Sequence, residues 1–463
     1  MLIRVPLAGR LEPTILAYHS HGSTQVTSAS ARIRVLRVYH RGRDRQHRAR
    51  ERALVEAGID VTLVVPSAWP DAGAERCLSP EPFCVVDLPV ARAGNVNRHL
   101  YVDGTAVRRL IEQTGPDVLD IHEEPFSRAA QQWLRAAGGE LPVVMYAAQN
   151  VDKRYPLPFS RYERLARQRV AAFYPCSRQA ASVLRGKGFA GAVEVLDLGY
   201  DDTVFRPGTQ SLDSSEVVLA LVGRLVPEKG VADAVRVLAG VHAVRPARLL
   251  LRGGGPEEVR ARELAASLGV ADRLDTGPWQ TASELASTYR AAHVVLVPSY
   301  PTETWVEQFG RVIVEAQACG AVVAGYASGT IPEVAGDAGA IVPIGDVGQL
   351  GVCVTRLLSN VDEFASRREA GCQQAATRTW HAVAARQASL YAAAQGADRG
   401  CRALARSPSQ RRTAARAEFG PTASTTSGER PFALPILRRG GLFADVLATV
   451  GDAAAEVASH LAR

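Results

Sequence analysis

Two carboxylates eight positions apart, Glu307 and Glu315, stand in the apolar, small-residue stretch VEQFGRVIVEAQACG, Val306 to Gly320. Phe309 and Gly310 are a poor interior pair for a helix. The run RVIVEAQACG has helical length, so a helix is expected to begin after Gly310. Glu307 then lies in the loop before it, and Glu315 about a turn inside. Carboxylates only accept hydrogen bonds and can take the paired hydroxyls of a polyol. A helix start adds free N–H groups and a positive dipole end. Two surface glutamates without a role would look the same, so their meaning depends on what accompanies them.

Arg224 and Lys229 fall in LALVGRLVPEKGVADAV, where a strand ends at Gly223 and Gly230 opens a helix. Two cations at a helix start suit an anion, although two solvated loop cations would read alike. Walker A spacing is absent. Gly253, Gly254 and Gly255 sit at the strand-to-helix turn of LLLRGGGPEEVR. They allow backbone to approach a phosphate or ribose closely, or simply make a tight turn. Glu258 stands where a dinucleotide-binding GxGxxG would need glycine. In the first half His122 ends a strand in DIHEEP, and Gly42 lies in HRGRD after another strand. A lone strand-end histidine is more often structural than catalytic. His40, His47, His242 and His293 have nothing further to mark them.

The elements that must position these residues alternate. RIRVLRVY reads as a buried strand. A helix capped by Asp44 and stopped at Gly58 follows, and then the strand IDVTLVVP. That βαβ unit implies a right-handed crossover in a parallel sheet. GPDVLDIHEEP, LPVVMYAAQ, AAFYPCS and AVEVLDLGYD continue the pattern as strands. The Pro, Gly and Ser in DDTVFRPGTQSLDSSE mark a domain boundary. The alternation then restarts with VVLALVG, ARLLLRGGG, DRLDTGPW, HVVLVPS and AVVAGY as strands and helices between them. The fold class expected is α/β: two doubly wound, Rossmann-like parallel-sheet domains facing a cleft. Ligands in such folds bind beyond the carboxyl ends of the strands.

The expected organisation has an N-terminal extension over 1–31, disordered, and a first domain over 32–205. A second domain over 206–375 and an amphipathic crossover helix over 376–397 follow. The tail over 398–463 carries ten arginines against six acids and is expected to be mostly disordered. Its last stretch, GLFADVLATVGDAAAEVASHLA, could form a terminal helix.

The 463 residues, 47% hydrophobic, are enough for two or three cored domains. The net charge of +7 favours anionic partners, but the basic residues are dispersed and aromatics make up only 6%. Nucleic acid is therefore not expected as a partner. Seven scattered cysteines without CxxC spacing indicate neither a disulfide framework nor a zinc site, and suit a reducing cytoplasm. No run of 18 apolar residues exists, and Arg10, Glu12 and Pro13 break the N-terminus as a signal peptide. The basic stretch RDRQHRARERALVEA could touch anionic lipid on the inner face of the membrane, though a solvated helix face reads alike.

The ordered motifs GRLVPEKG, RGGGP, VPS, VEQFGRVIVEAQACG and SGTIPEV resemble the C-terminal domain of the retaining nucleotide-sugar glycosyltransferases of family four, which have the GT-B fold. The paired glutamates match that family's E-x7-E signature. The resemblance spans about residues 32 to 396 and is most specific over 219–345. It implies a hexosyltransferase that moves a sugar from a UDP- or GDP-linked donor to an acceptor hydroxyl. Cell-envelope glycan, glycolipid or polysaccharide synthesis is the implied setting, with a glycan or lipid-linked acceptor.

Carried over by position, Arg224 and Lys229 would hold the donor diphosphate, approached by Gly42. Glu315 would bind the ribose, with Gly253 and Gly255 shaping the nucleotide pocket. Glu307 would face the donor sugar beside backbone N–H groups of Phe309, Gly310 and Arg311, and His122 would be catalytic. The HRGRD loop departs from the family's two-glycine version, which leaves Arg41 or Arg43 as substitutes near the phosphates. Gln308 and Gln317 are milder departures. With no metal-binding DxD pair at a strand end, metal independence is expected, and no cofactor.

Overall fold

In the computed structural model, described over residues 15–16, 32–70 and 80–405, the chain forms two parallel-sheet domains. The first sheet has eight strands. From one edge they are Ile15–Leu16, Cys84–Leu88, Asp60–Pro66, Arg34–Val38, Val118–Ile121, Val143–Ala147, Ala172–Pro175 and Ala192–Val193. All neighbours pair in parallel except the first two. The second sheet has six parallel strands, in the order Leu274–Gly277, Ala247–Arg252, Val217–Val222, Val294–Val297, Val322–Tyr326 and Ala340–Val342. Both are Rossmann-like, with order reversing beside the first strand of each domain. The central strands are mostly apolar because helices cover both faces, as a parallel sheet requires, with the buried Arg37–Asp120 pair as the exception in the first sheet. Leu36, Leu119, Leu219, Leu249 and Val294 are fully buried.

Several elements differ from the sequence expectation. The helix expected after Gly42 is instead two 3-10 turns, His40–Arg43 and Arg45–His47, and a helix from Ala49 to Glu56. Asp44 does cap, but it caps the second 3-10 turn by accepting from Gln46 N–H at 3.2 Å. The cause is buried Arg48, whose guanidinium donates to the carbonyls of Gly42 at 2.6 Å and Arg43 at 3.1 Å and holds the loop wound. AVEVLDLGYD gives only the two-residue strand Ala192–Val193. The strand Cys84–Leu88, the hairpin Val90–Ala91 with Leu100–Tyr101, and the helices Val347–Ser359 and Val361–Ala376 are not anticipated by the sequence pattern.

The basic stretch is largely engaged within the fold. Arg45, Arg48 and Arg52 of the basic stretch converge on buried Glu81, and Arg43 and Arg50 are themselves buried.

Within the extension, Ile15–Leu16 adds antiparallel to the edge strand Cys84–Leu88, which corrects its reading as wholly disordered. An apolar pair satisfies backbone groups that an open sheet edge leaves unpaired. Residues 1–14 and 17–31 lie outside the described residues, as do 406–463 and with them the expected terminal helix. The last described helix is longer than expected, Trp380–Ala405. It returns to the first domain. Leu390, Tyr391 and Ala394 pack with Val35, Val61 and Val118 in one core. Among the described residues, no helix is long and apolar enough to cross a membrane.

Candidate active site

The second strand of each domain's crossover delivers its loop to one cleft. In the C-terminal domain the helix runs from Arg311 to Ala318, as the sequence predicts, and Gly310 precedes it at φ 73°. Only glycine takes that left-handed turn cheaply, so FG is where loop becomes helix. Phe309 is 2% exposed and anchors the loop in the core beside Ile313. The N–H groups of Gly310, Arg311 and Val312 donate to no described protein group, leaving a helix start that can meet an anion.

Glu307 lies in the loop, and its carboxylate takes Lys229 Nζ at 2.5 Å. Lys229 also sits 4.7 Å from the centre of the Trp305 ring, which holds the ammonium by cation–π attraction. The backbone of Glu307 is fixed from two sides. Its carbonyl accepts from Thr330 N–H and Oγ1, both at 3.2 Å, and from Asn150 Nδ2 of the other domain at 2.9 Å. Lys153 Nζ donates to the carbonyl of Thr304 at 2.6 Å, also across the cleft. Glu315, 5% exposed, accepts from Arg311 at 2.9 Å and from Tyr289 OH at 3.4 Å. Burial raises its pKa, and Arg311 and Tyr289 oppose that. Arg224 is about half exposed and lies 3.7 Å from Glu228.

The glycine loop is held by backbone rather than left open. Gly253 has φ 139°, and a Cβ there would lie 1.9 Å from the carbonyl oxygen of Gly223. At Gly255 the corresponding contact is 2.3 Å, to Leu225 O. Hydrogen bonds from Leu225 N–H to Gly254 O and from Glu257 N–H to Leu225 O, each 2.9 Å, tie this turn to the loop carrying Arg224. Both glycines therefore make a close-packed structural turn. Gly253→Ala should destabilise the protein by about 3 kcal/mol or more, since strain and a backbone clash add. Urea unfolding measures this, and a loss under about 1 kcal/mol would contradict it.

In the N-terminal domain His122 is buried beside aromatic rings. It stacks on Tyr146 at 4.1 Å and meets Tyr39 edge-on at 4.4 Å. Its Nδ1 is 3.1 Å from Tyr174 OH. Tyr174 OH in turn donates to Asp120, a buried carboxylate that also pairs with Arg37 and accepts from Tyr391 OH at 2.5 Å and Gln387 Nε2 at 2.9 Å. A phenol has one proton. With it given to Asp120, the Tyr174 oxygen must accept from His122 Nδ1–H. That fixes the tautomer and leaves Nε2 as a lone-pair acceptor. Burial, then the charges of Arg37, Arg50 and His40, hold His122 well below the usual histidine range, so it is neutral.

The Gly42 N–H donates to Tyr39 O at 3.1 Å, and its carbonyl is the one held by Arg48. Arg43 is also withdrawn, donating to Pro66 O at 3.1 Å. Arg41 stays exposed in the same loop. Nearby His47 titrates at about 4, through burial and then the charges of Arg41 and of Arg311 from the facing helix. The sequence did not mark Tyr39, Tyr146, Tyr174, Asp120 or Asn150. DIH, with Asp and His on one side of a strand end, is the only local signal that could have found part of this network.

Two residues past His122, Glu124 has a buried Oε2 without a partner, and its Oε1 accepts from Ala148 N–H at 3.1 Å. Burial lifts its pKa to about 7. Between the ordinary glutamate range and 7, the folded chain keeps a proton that the unfolded chain has lost. Stability therefore falls as pH rises through that window and levels off above it. Glu124→Gln should melt above wild type at pH 8, by a margin worth at most about 3 kcal/mol, and the margin should close towards pH 5. A pH-independent margin would contradict this.

Two Rossmann-like domains facing a cleft, with an ion-paired lysine and glutamate at a free helix start, define a GT-B-type protein. The model described as glycosyltransferase family 4 matches residues 45–204, and the model of group 1 glycosyl transferases matches 207–374. The chain belongs to the family-four glycosyltransferases. A D-inositol 3-phosphate glycosyltransferase of Mycobacteroides abscessus is 35% identical over 214 residues, 43% of this chain and 46% of that protein. The chain thus matches about half the length of this curated relative. Among solved structures, a sucrose-phosphate synthase of Thermosynechococcus elongatus superposes with a TM-score of 0.60 at 19% identity, over 79% of this chain and all of that one. Anabaena HepE in complex with UDP and glucose gives 0.56 at 16% identity, over 78% of this chain and 99% of that one.

Proposed function

We propose that this protein transfers a sugar from a UDP- or GDP-linked donor to an acceptor hydroxyl, with retention at the anomeric carbon and without a metal. The observation that carries this is the Lys229–Glu307 pair at the free start of the Arg311–Ala318 helix, clamped by Asn150 from the facing domain. In this reading the bond from the anomeric carbon to the diphosphate breaks, and the acceptor oxygen bonds to that carbon on the same face. The acceptor proton passes to the departing phosphate oxygen. Lys229, Arg224 and the helix N–H groups offset the charge that grows on the diphosphate. Glu307 accepts from donor-sugar hydroxyls, Glu315 from the ribose, and His122 Nε2 from a hydroxyl at the reacting end. The cleft excludes water and so limits donor hydrolysis.

A thermal-shift screen with UDP-, GDP- and ADP-sugars tests donor binding. A tight donor raises the melting temperature by mass action, and no shift with any of them would overturn the reading. EDTA at millimolar concentration should leave turnover unchanged, and loss restored by magnesium or manganese would contradict metal independence. Acceptors to screen include cell-envelope glycans, lipid-linked sugars and an inositol phosphate, the last because relatives carry that name. A cytoplasmic setting is part of the same proposal.

A further inference from the structure

The helices Gly104–Thr114, Arg128–Ala136 and Phe159–Arg169 of the N-terminal domain border a pocket of about 350 Å³. It shares no residue with the Lys229–Glu307 cluster or the surroundings of His122. Arg108, Arg128 and Arg135 all line its wall, and no carboxylate residue does. None of the three forms an ion pair with a described residue. Other arginines of this domain do find carboxylates, among them Arg37 with Glu51 and Asp120, and Arg45, Arg48 and Arg52 with Glu81.

A second observation is independent of charge. Gln131 lines the same pocket, is 3% exposed, and its Nε2 has no hydrogen-bond partner. A buried donor left unmade is costly and calls for an acceptor. Its neighbour Gln132 is instead held by the backbone of Tyr101, at 2.8 Å in both directions. The Tyr162 ring lies 5.9 Å from the Arg135 guanidinium, which steadies that side chain on the wall.

Three unmatched guanidinium groups around one concavity repel each other until an anion enters. Their planar forks suit a group with several equivalent oxygens and more than one charge, which a phosphoryl group provides and a carboxylate does not. The volume exceeds what a bare ion needs. We propose that this pocket binds a phosphomonoester, its phosphoryl group held by Arg108, Arg128 and Arg135 with the Gln131 amide as a further donor. The inference does not depend on the transferase reading.

The test is titration calorimetry of the full chain with glycerol 3-phosphate and with inorganic phosphate. Vesicle co-sedimentation, with and without phosphatidic acid, runs beside it. Three variants separate the sites: Arg108→Ala with Arg135→Ala, Gln131→Leu, and Lys229→Ala. Arg108 and Arg135 are exposed, so their replacement leaves the fold intact, as circular dichroism can verify. Saturable binding of glycerol 3-phosphate should persist in Lys229→Ala. It should weaken at least about tenfold in the double arginine variant, and less in Gln131→Leu. Binding only to phosphatidic acid vesicles, lost in the double variant, would support the pocket and identify a lipid as the source.

Binding unaffected by the arginine replacements, or abolished by Lys229→Ala, would overturn the proposal. So would inorganic phosphate binding as tightly as the ester, which would mean an adventitious ion only. Absence of binding to both the free ester and the vesicles would likewise overturn it.

Discussion

Lys229→Ala should lower the turnover of nucleotide-sugar transfer by about a hundredfold to a thousandfold, and Glu307→Gln by a similar factor. The lysine supplies charge to the leaving diphosphate at the moment it develops, and losses of that size are typical for one such donor. Glu307 loses its ion pair in the first variant and its charge in the second. The two effects should therefore not add: the double variant should be little worse than either single one. The Lys229–Glu307 contact is 2.5 Å long, and both side chains are largely shielded, at 21% and 13% exposure. Lys229→Ala leaves a shielded carboxylate unpaired, so a modest fall in stability is expected beside the kinetic loss. Steady-state kinetics and urea unfolding on the same preparations separate the two. Fully additive effects on turnover would show that the residues act independently.

His122→Ala should cost about a hundredfold in turnover, and Tyr174→Phe about tenfold, with the donor KM little changed in the second. Both losses follow from the hydrogen-bond chain that runs from Asp120 through Tyr174 to His122 Nδ1. Tyr174 touches no ligand in this account and is a positioning residue. Its hydroxyl makes His122 an acceptor at Nε2. Removing it frees the imidazole to adopt either tautomer and leaves Asp120 one donor short. Nitrogen-15 NMR of labelled histidine reads the tautomer directly: the Nδ1–H form in wild type, and a mixture in Tyr174→Phe. A wild-type protein with the proton on Nε2 would contradict the mechanism even if Tyr174→Phe were slow.

The C-terminal domain was legible because its signals are local. Its central strands Val217–Val222 and Val294–Val297 are unbroken apolar runs, glycines follow the first two strands, and Gly310 marks the helix start within the motif itself. Glu307 before the helix and Glu315 inside it follow from that one glycine. The N-terminal half was less legible because its decisive contacts are long-range. Tyr174 and Tyr391 reach Asp120 from 54 and 271 positions away, and Asn150 reaches Glu307 from 157. No window of sequence contains such pairs.

The loop after the first strand misled for a different reason. The run from Asp44 to Glu56 has the composition of one helix, but a buried arginine side chain holds the loop carbonyls before it, and its start is a 3-10 turn with the α-helix delayed to Ala49. Gly42 and Gly253 carry a related lesson. A glycine beside a strand end is equally required by a nearby ligand or by nearby backbone, and here each is already engaged by the chain.

The central claim is that the cleft between the two sheets transfers sugar from a nucleotide with retention. The most direct measurement is proton NMR of the reaction of wild-type protein with the donor selected by thermal shift and the acceptor panel. Lys229→Ala, prepared in the same way, serves as the control. The account predicts nucleoside diphosphate release matched by a new glycoside whose anomeric configuration equals that of the donor, with the rate falling at least about a hundredfold in the variant. An inverted product would contradict it, as would release that Lys229→Ala leaves unchanged.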